Sequence, residues 1–376
     1  MNYNIPIYTP DIINYKQSAI EAINSGWISN HGKYISLATK KLQTIIGSKY
    51  VILMSNGTVA THCLFISLKY KYPNIKKIYI PNNCYVAAYN SALMEYNESE
   101  IEILDIDEKT WNMRDDEEYL KELENNSAIL ILHNMGGIVN VKKIKETRPD
   151  IILIEDNCEG IFGKYNNIMT SSNPDILCSS VSFYGNKIIT TGEGGAFFTN
   201  DDEIYNYINK VYTQGMSNIR YIHDVHAYNY RMTNIEAAFL YDQLNDLDNI
   251  LNKKQNIFDI YDNLFSELIN NNKISIQKID ENNKRANWIY AIRINNIDLD
   301  FDKIFNIFFT KYIEIRPFFY PYNSHNHLKN IKVFKNSNNN NLPSILNRQI
   351  IMIPSYPTLS MIEQEHIVNV VKELIK

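Results

Sequence analysis

Seven short apolar runs, each about as long as a buried β-strand, recur in the first part of this chain. Helical patterns separate several of the runs, as at 58–71 and 115–123. Strands that alternate with helices fold into a largely parallel sheet, because each helix returns the chain to the edge where the previous strand began. We therefore predict an α/β fold with a mostly parallel seven-stranded sheet, built from residues 50–55, 77–80, 101–106, 128–132, 151–154, 181–184 and 196–199.

The length and the distribution of residue types predict two domains. A chain of 376 residues exceeds the usual size of one hydrophobic core. All 13 glycines lie at or before Gly215, so the composition changes along the chain. Thr233 and Glu236 form a capping-box pattern that predicts a helix through about Leu251. We expect a large domain over 1–250 and a smaller C-terminal α+β domain over 251–376, with strands at 286–294, 311–316 and 348–353 and a closing helix at 361–376.

Charge and cysteine usage exclude several classes of protein. A net charge of −5 gives no basic surface of the kind that binds nucleic acid. The four cysteines form no C-x-x-C pair, which indicates reduced thiols. The N-terminus has no basic start followed by an apolar core, and no apolar stretch approaches 18 residues. We predict a cytoplasmic protein that contacts neither membrane nor nucleic acid.

Three groups follow strands at the edge of the predicted sheet where ligands usually bind. Gly57 and Thr58 lead from a strand into a helix, which suits either an anion such as phosphate or a tight turn with Thr58 as the helix cap. Asp156 ends an apolar run, where it either meets a cation or caps the next helix. Lys187 precedes a glycine cluster and is either a nucleophile or a surface lysine.

These groups are more specific together than singly. A phosphate cradle, a lysine able to form a Schiff base and an aspartate for a pyridinium nitrogen are the combination that pyridoxal phosphate requires. The pattern therefore predicts this cofactor.

The chain also resembles the DegT/StrS family of nucleotide-sugar aminotransferases, which are fold-type I pyridoxal phosphate enzymes. The resemblance extends from Ile5 to the C-terminus. Ala227 departs from the family, which usually has glycine there, and Asn157-Cys158 replace a pair of small residues. The motifs that carry the resemblance are Ser25-Gly-Trp-Ile-Ser29, Ser55-Asn-Gly-Thr58, Ile154-Glu-Asp156, Ser182 to Gly195, Tyr228-Asn-Tyr-Arg-Met-Thr233, Arg316-Pro-Phe-Phe-Tyr-Pro321 and Pro354-Ser-Tyr-Pro357.

The resemblance implies a role for each matching residue. It implies that Lys187 bonds covalently to pyridoxal phosphate and that Asp156 pairs with the pyridine nitrogen. It places Tyr85 against the cofactor ring and assigns the phosphate to Gly57, Thr58 and Ser182. Glu159 falls near the cofactor, although a polar core residue is the alternative. Asn229 is implied to reach the phosphate of a neighbouring subunit, so that a homodimer shares its active sites.

Further residues match segments that contact the substrate in the family. Trp27, Ser29, His223 and Arg316 fall on segments that line the sugar-nucleotide cleft, although Trp27 also suits a core and Arg316 an ion pair. His133 suits either a hydrogen bond near the cofactor or sugar, or a buried structural role. We predict no metal site, because His325 and His327 have no acidic or cysteine partner at usable spacing.

The expected reaction is transfer of an amino group from L-glutamate to a GDP- or UDP-linked 4-keto-6-deoxyhexose. It gives a 4-amino-4,6-dideoxy sugar of the perosamine or viosamine type for a surface glycan, with pyridoxamine phosphate formed between the half-reactions. A related branch has histidine in place of Lys187 and dehydrates its substrate. The alternatives are amination of a 3-keto sugar or a cyclitol, and a non-catalytic binding or regulatory protein of the same fold.

Overall fold

A computed structural model describes residues 4–295, 300–335 and 341–375 of the chain. Its helices are α1 (Gln17–Ser25), α2 (Lys33–Ile46), α3 (Gly57–Lys71), α4 (Ala87–Leu93), α5 (Glu117–Lys121), α6 (Val141–Thr147), α7 (Asp202–Val211), α8 (Asn234–Asn245), α9 (Leu247–Leu264), α10 (Ser266–Asn270), α11 (Phe301–Thr310), α12 (Leu342–Gln349) and α13 (Met361–Leu374). Its strands are β1 (Tyr50–Met54), β2 (Lys77–Pro81), β3 (Ile101–Leu104), β4 (Ser127–Leu132), β5 (Ile152–Asp156), β6 (Lys164–Tyr165), β7 (Ile168–Met169), β8 (Ile176–Ser182), β9 (Gly195–Thr199), β10 (Ile274–Ile276), β11 (Asn283–Lys284), β12 (Tyr290–Ile294), β13 (Arg316–Pro317), β14 (Lys332–Val333) and β15 (Ile350–Ile353).

The largest sheet confirms the predicted α/β fold. Its strand order is β1-β9-β8-β5-β4-β2-β3-β14, and β9 is its one antiparallel strand. Seven of its strands correspond to the seven apolar runs, and β14 adds a two-residue eighth strand from the C-terminal part. A smaller antiparallel sheet, β10-β12-β15-β13, forms the C-terminal part, and β11, β6 and β7 form a third.

Helices cover both faces of the large sheet. Val51 and Leu53 of β1 face one apolar cluster, which includes side chains of α2 and α8. Ile52 and Met54 face the cluster around α3. This alternation follows from the two-residue period of a strand and explains why the strands read as continuous apolar runs. Because helices pack against both faces of the sheet, ligands have access only at the ends of the strands.

Two predicted strands differ from the structure. Strand β8 begins at Ile176 rather than 181, because the buried hydroxyls of Ser179 and Ser180 pair with those of Ser171 and Thr61 and interrupt the apolar run without ending the strand. The predicted strand at 311–316 is reduced to β13. Tyr312 has a φ of 59°, a left-handed conformation that breaks an extended segment.

The capping box is confirmed at the start of α8, where the side chains and backbone of Thr233 and Glu236 bond reciprocally. The helix ends at Asn245 rather than near 251, and α9 follows at Leu247. The closing helix is confirmed as α13. Within the three described ranges, no helix has the length and apolar character needed to cross a membrane.

Candidate active site

The carboxyl ends of the parallel strands open into a cleft of about 610 Å³, a volume typical of small-molecule sites. It gathers residues that are far apart in sequence, because neighbouring parallel strands end at one edge of the sheet. The predicted site residues that line it are Gly57, Thr58, Tyr85, Asp156, Glu159, Ser182, Lys187 and Arg316. The other predicted residues, Trp27, Ser29, His133, His223 and Asn229, are found elsewhere in the described part of the chain.

The start of α3 forms an anion cradle against the end of β8. Asn56 caps the helix by accepting a hydrogen bond from the backbone N–H of Val59 at 3.0 Å. The alternative in which Thr58 is the cap is therefore wrong. The first backbone N–H groups of a 15-residue helix thus face the cleft with the positive end of the helix dipole. This arrangement suits a phosphate group.

Glycine is required at position 57 by the close approach of β8. A Cβ atom on Gly57 would lie 2.6 Å from Ser182 Cβ and 3.2 Å from Ser182 Cα. Such contacts force the helix start away from the strand. The cradle therefore depends on the absence of a side chain at this one position.

Gly57→Ala is expected to weaken pyridoxal phosphate binding on the order of a hundredfold and to lower the free energy of unfolding by about 1–3 kcal/mol, as overpacking does. Fluorescence titration and urea unfolding measure the two effects. The double variant Gly57→Ala/Ser182→Gly removes the closest clashing atom and should recover stability but not affinity. Binding by Gly57→Ala as tight as that of the unmodified protein would contradict the cradle.

Asp156 is a buried carboxylate at the end of β5. Its Oδ1 accepts a hydrogen bond from the backbone N–H of Cys158 at 3.1 Å. Burial raises the pKa of Asp156, and the positive charge of Lys187 partly opposes that rise. A buried anion with these surroundings gains from a cationic partner, because a positive group would offset the cost of burial.

Glu159 lies in the same cleft and is also buried. Burial raises its pKa to about 7, against the opposing charge of Lys187. Its Oε2 accepts a hydrogen bond from the backbone N–H of Met135 at 2.9 Å, where the backbone has a φ of 54°. The Glu159 carboxyl is thus held in a fixed place beside Asp156 and can gain or lose a proton near neutral pH.

His133 is fully buried and has both ring nitrogens engaged within the protein. Val139 donates its backbone N–H to Nδ1 at 3.1 Å, which leaves the ring proton on Nε2. Nε2 lies 3.0 Å from Glu155 Oε1 and donates to it. Of the two interpretations that the sequence allowed for His133, this geometry favours the structural one.

Trp27, Ser29 and Asn229 are exposed and lie near the start of α8. Asn234, in the first turn of that helix, donates its side-chain amide to Trp27 O at 2.6 Å and its backbone N–H to Ser29 O at 2.9 Å. Asn229 Oδ1 accepts from Arg231 Nε at 2.8 Å. The structure therefore brings Trp27 and Ser29 together through Asn234, and all three residues lie outside the cleft of the single chain.

His223 is exposed, and its Nδ1 lies 2.7 Å from Gln214 O. His327 belongs to the pair of histidines, His325 and His327, at which we predicted no metal site. Its Nε2 lies 2.8 Å from Asn90 Oδ1. Arg316 lies at the cleft and also forms the ion pair that the sequence allowed, 3.2 Å from Glu314 Oε1.

The cleft also contains Trp288, which sequence reasoning missed. Trp288 lies just before β12, is buried, and places its ring 4.1 Å from Lys187 Nζ. Its one sequence signal is that it is one of only three tryptophans. Its position depends on how the C-terminal part packs against the large sheet, which no local pattern reveals.

The chemistry of this donor set fits pyridoxal phosphate. The cradle suits its phosphate, the buried Asp156 suits a protonated ring nitrogen, and Lys187 supplies the amine for its aldehyde. The strand order of the large sheet and the cleft at the carboxyl ends of its strands are those of the fold-type I pyridoxal phosphate-dependent transferases.

Within that class, the chain belongs to the DegT/DnrJ/EryC1/StrS aminotransferase family, whose model matches residues 12–372. The predicted family, fold and enzyme class are thereby confirmed. The protein is a sugar aminotransferase of this family.

Individual relatives agree with this membership. The chain is 31% identical to GDP-perosamine synthase of Escherichia coli O157:H7, over 84% of this chain and 85% of the relative. It is 28% identical to UDP-4-amino-4,6-dideoxy-N-acetyl-beta-L-altrosamine transaminase of Campylobacter jejuni, over 74% of each chain. The solved structure of E. coli GDP-4-keto-6-deoxy-D-mannose-3-dehydratase with bound hydrated pyridoxal phosphate superimposes with a TM-score of 0.84 at 20% identity and covers 100% of both chains.

Proposed function

We propose that this protein transfers an amino group from L-glutamate to the 4-keto group of a nucleotide-linked 4-keto-6-deoxyhexose. The observation that carries the proposal is that Lys187, Asp156 and the Gly57 cradle share one cleft. The similarity to GDP-perosamine synthase supports the 4-keto-6-deoxy sugar. A second similarity, to a UDP-sugar transaminase, keeps both GDP and UDP as the nucleotide to be tested.

Pyridoxal phosphate is held in this proposal by residues of the cleft and its border. Gly57, Thr58 and Ser182 bind the phosphate, Asp156 pairs with the ring nitrogen, and Tyr85 packs against the ring. Glu159 lies near the cofactor. When bound, the cofactor supplies an electron sink that stabilises negative charge on the carbon that loses its proton.

Lys187 moves the protons of the reaction. Its amine takes a proton from the carbon of the donor and returns one to the carbon of the acceptor. Asp156 remains ionised opposite the ring nitrogen, because that cationic partner offsets the burial that raises its pKa. Lysine rather than histidine at 187 favours transamination over the dehydration that related enzymes perform.

A substrate panel tests the proposal. Purified protein is incubated with pyridoxal phosphate, L-glutamate and one sugar at a time, from GDP- and UDP-linked 4-keto-6-deoxyhexoses and a 3-keto analogue. The expected product has the mass of the 4-amino-4,6-dideoxy sugar. Its proton NMR coupling constants give the stereochemistry at C4. Amination of the 3-keto sugar alone would contradict the proposal, as would the absence of any amino product from the whole panel.

We also propose that two copies of the chain complete each other's sites. Trp27 is 62% exposed, and Ile219 and Tyr221 are 64% and 73% exposed, so all three side chains are available to a second copy. Trp27, Ser29 and Asn229 lie outside the cleft of their own chain. In a dimer they would serve the cleft of the second copy, with Asn229 reaching its phosphate.

Mixing two inactive variants tests this sharing. Lys187→Ala and Asn229→Trp each impair all sites of their own dimers. After subunit exchange, a heterodimer has one site with both defects and one with neither, so that about a quarter of all sites recover when the subunits mix at random. Activity that stays at the level of the separate variants, although heterodimers are detected by mass, would contradict a shared site.

A further inference from the structure

Trp288 connects the C-terminal part of the chain to the segment that carries Lys187. Its indole ring lies 4.1 Å from Lys187 Nζ, within the range of a cation–π contact. Its Nε1–H donates a hydrogen bond to Asn186 O at 3.0 Å. One side chain therefore contacts both the amine of the lysine and the peptide that precedes it.

Trp288 is itself held in place from behind. Its backbone carbonyl accepts a hydrogen bond from Lys254 Nζ at 2.8 Å. Lys254 is buried and also donates to Ser355 O, and Ser355 Oγ accepts from the backbone N–H of Tyr290 at 3.0 Å. The backbone on which the ring stands is thus fixed by α9 and by the segment after β15. A ring fixed in this way can direct a more mobile neighbour.

Lys187 needs such direction if it transfers protons. A lysine side chain has four rotatable bonds, and an amine displaced by about 1 Å can lose much of its effect on rate. The groups around its charge are Asp156 and Glu159, whose carboxylates attract it, the thiol of Cys158, and the ring of Trp288. The ring face gives the ammonium a fixed contact beside the two carboxylates.

We propose that Trp288 is a positioning residue for Lys187: its ring receives the amine whenever the amine is free, and its N–H fixes the peptide from which the lysine extends. This role rests on the proposed function. It predicts two separable contributions, because phenylalanine keeps a ring face and loses the N–H, whereas leucine loses both.

Trp288→Phe and Trp288→Leu separate the contributions, and Trp111→Phe is the matched control. Trp111 is also a buried tryptophan, but it packs near Phe318 rather than Lys187. Two rates are measured for each protein: covalent capture of pyridoxal phosphate by the apoprotein, trapped with borohydride and read by mass, and the single-turnover reaction with glutamate. Thermal unfolding of the apoprotein reports stability.

We expect both rate constants to fall about fivefold in Trp288→Phe and about 25-fold in Trp288→Leu, the fold-changes that correspond to one lost hydrogen bond and to that bond plus a cation–π contact. The concentration of glutamate that gives half the maximal rate should stay within about twofold. Trp111→Phe should lose thermal stability but keep both rate constants.

Equal rate constants for Trp288→Phe and Trp288→Leu would overturn the role of the ring. A fall in Trp111→Phe as large as that in Trp288→Phe would overturn positioning in favour of general destabilisation. If Trp288→Leu does not fold, the comparison of Trp288→Phe with Trp111→Phe still decides between positioning of Lys187 and general destabilisation. If the unmodified protein fails to react with glutamate, the proposed function fails, whereas capture of pyridoxal phosphate still tests the placement of Lys187 by Trp288.

Discussion

Lys187→Arg is expected to lower turnover at least about ten-thousandfold while leaving the protein folded. Arginine keeps the positive charge beside Asp156, Glu159 and Trp288, so the electrostatics of the cleft are largely preserved. Its guanidinium neither bonds to an aldehyde nor releases a proton at physiological pH. The variant therefore separates the chemistry of the amine from its charge.

The measurement is amino-sugar formation with excess glutamate, together with mass analysis after borohydride reduction. Lys253→Arg is the control, since Lys253 lies outside the catalytic cleft and pairs with Asp11 at 3.4 Å. It should retain activity within about twofold. Sustained multiple turnovers by Lys187→Arg would eliminate Lys187 as the catalytic amine.

Lys254 is expected to have a large effect on how the stability of the protein depends on pH. Burial lowers its pKa from 10.5 to about 7. Its two hydrogen bonds, to Trp288 O and Ser355 O, match the two N–H groups of a neutral amine. Between these pKa values the unfolded chain binds a proton that the folded chain does not. The contribution of Lys254 to the stability of the unmodified protein therefore falls as the pH decreases from 10.5 towards 7, by about 1.4 kcal/mol per pH unit.

Lys254→Met lacks this titration. Urea unfolding of the apoprotein from pH 7.5 to 9.5 should show the advantage of the unmodified protein over Lys254→Met growing with pH by about 3 kcal/mol. The buried tyrosines and cysteines are the same in both proteins, so their titration cancels in this difference. Lys253→Met, on the same helix but partly exposed, should follow the unmodified protein. Parallel curves for Lys254→Met and the unmodified protein would show that Lys254 is charged in the folded state.

Local sequence patterns were sufficient for most of the large sheet and, in the C-terminal part, for β12, β15 and α13. Strands buried on both faces, such as β1, are continuous apolar runs and are easily recognised. Strand β8 was recognised only in part, because Ser179 and Ser180 bond to Ser171 and Thr61, which lie outside the strand. The two-residue β14 owes its conformation to pairing with β3, and nothing in its own sequence indicates that.

The residues of the candidate site also differ in how far the sequence predicts them. Lys187, Asp156 and Gly57 could be predicted because they follow recognisable strands of one sheet. Trp288 could not, since it reaches the cleft only through the docking of the C-terminal part. The two interpretations of His133 could not be separated by sequence either, because they differ in whether Glu155 and Val139 engage both ring nitrogens.

The position of β1 in the sheet has a consequence for biosynthesis. Tyr50 pairs with Thr199, so β1 joins the sheet only through a strand that is synthesised much later. Until β9 has been made, β1 lacks the neighbour that connects it to β8, and Gly57 is not held against Ser182. Contacts between distant parts of a chain form slowly, because the intervening segment must first be ordered. A nascent chain can thus complete the contact between Gly57 and Ser182 only after more than half of the chain has been synthesised.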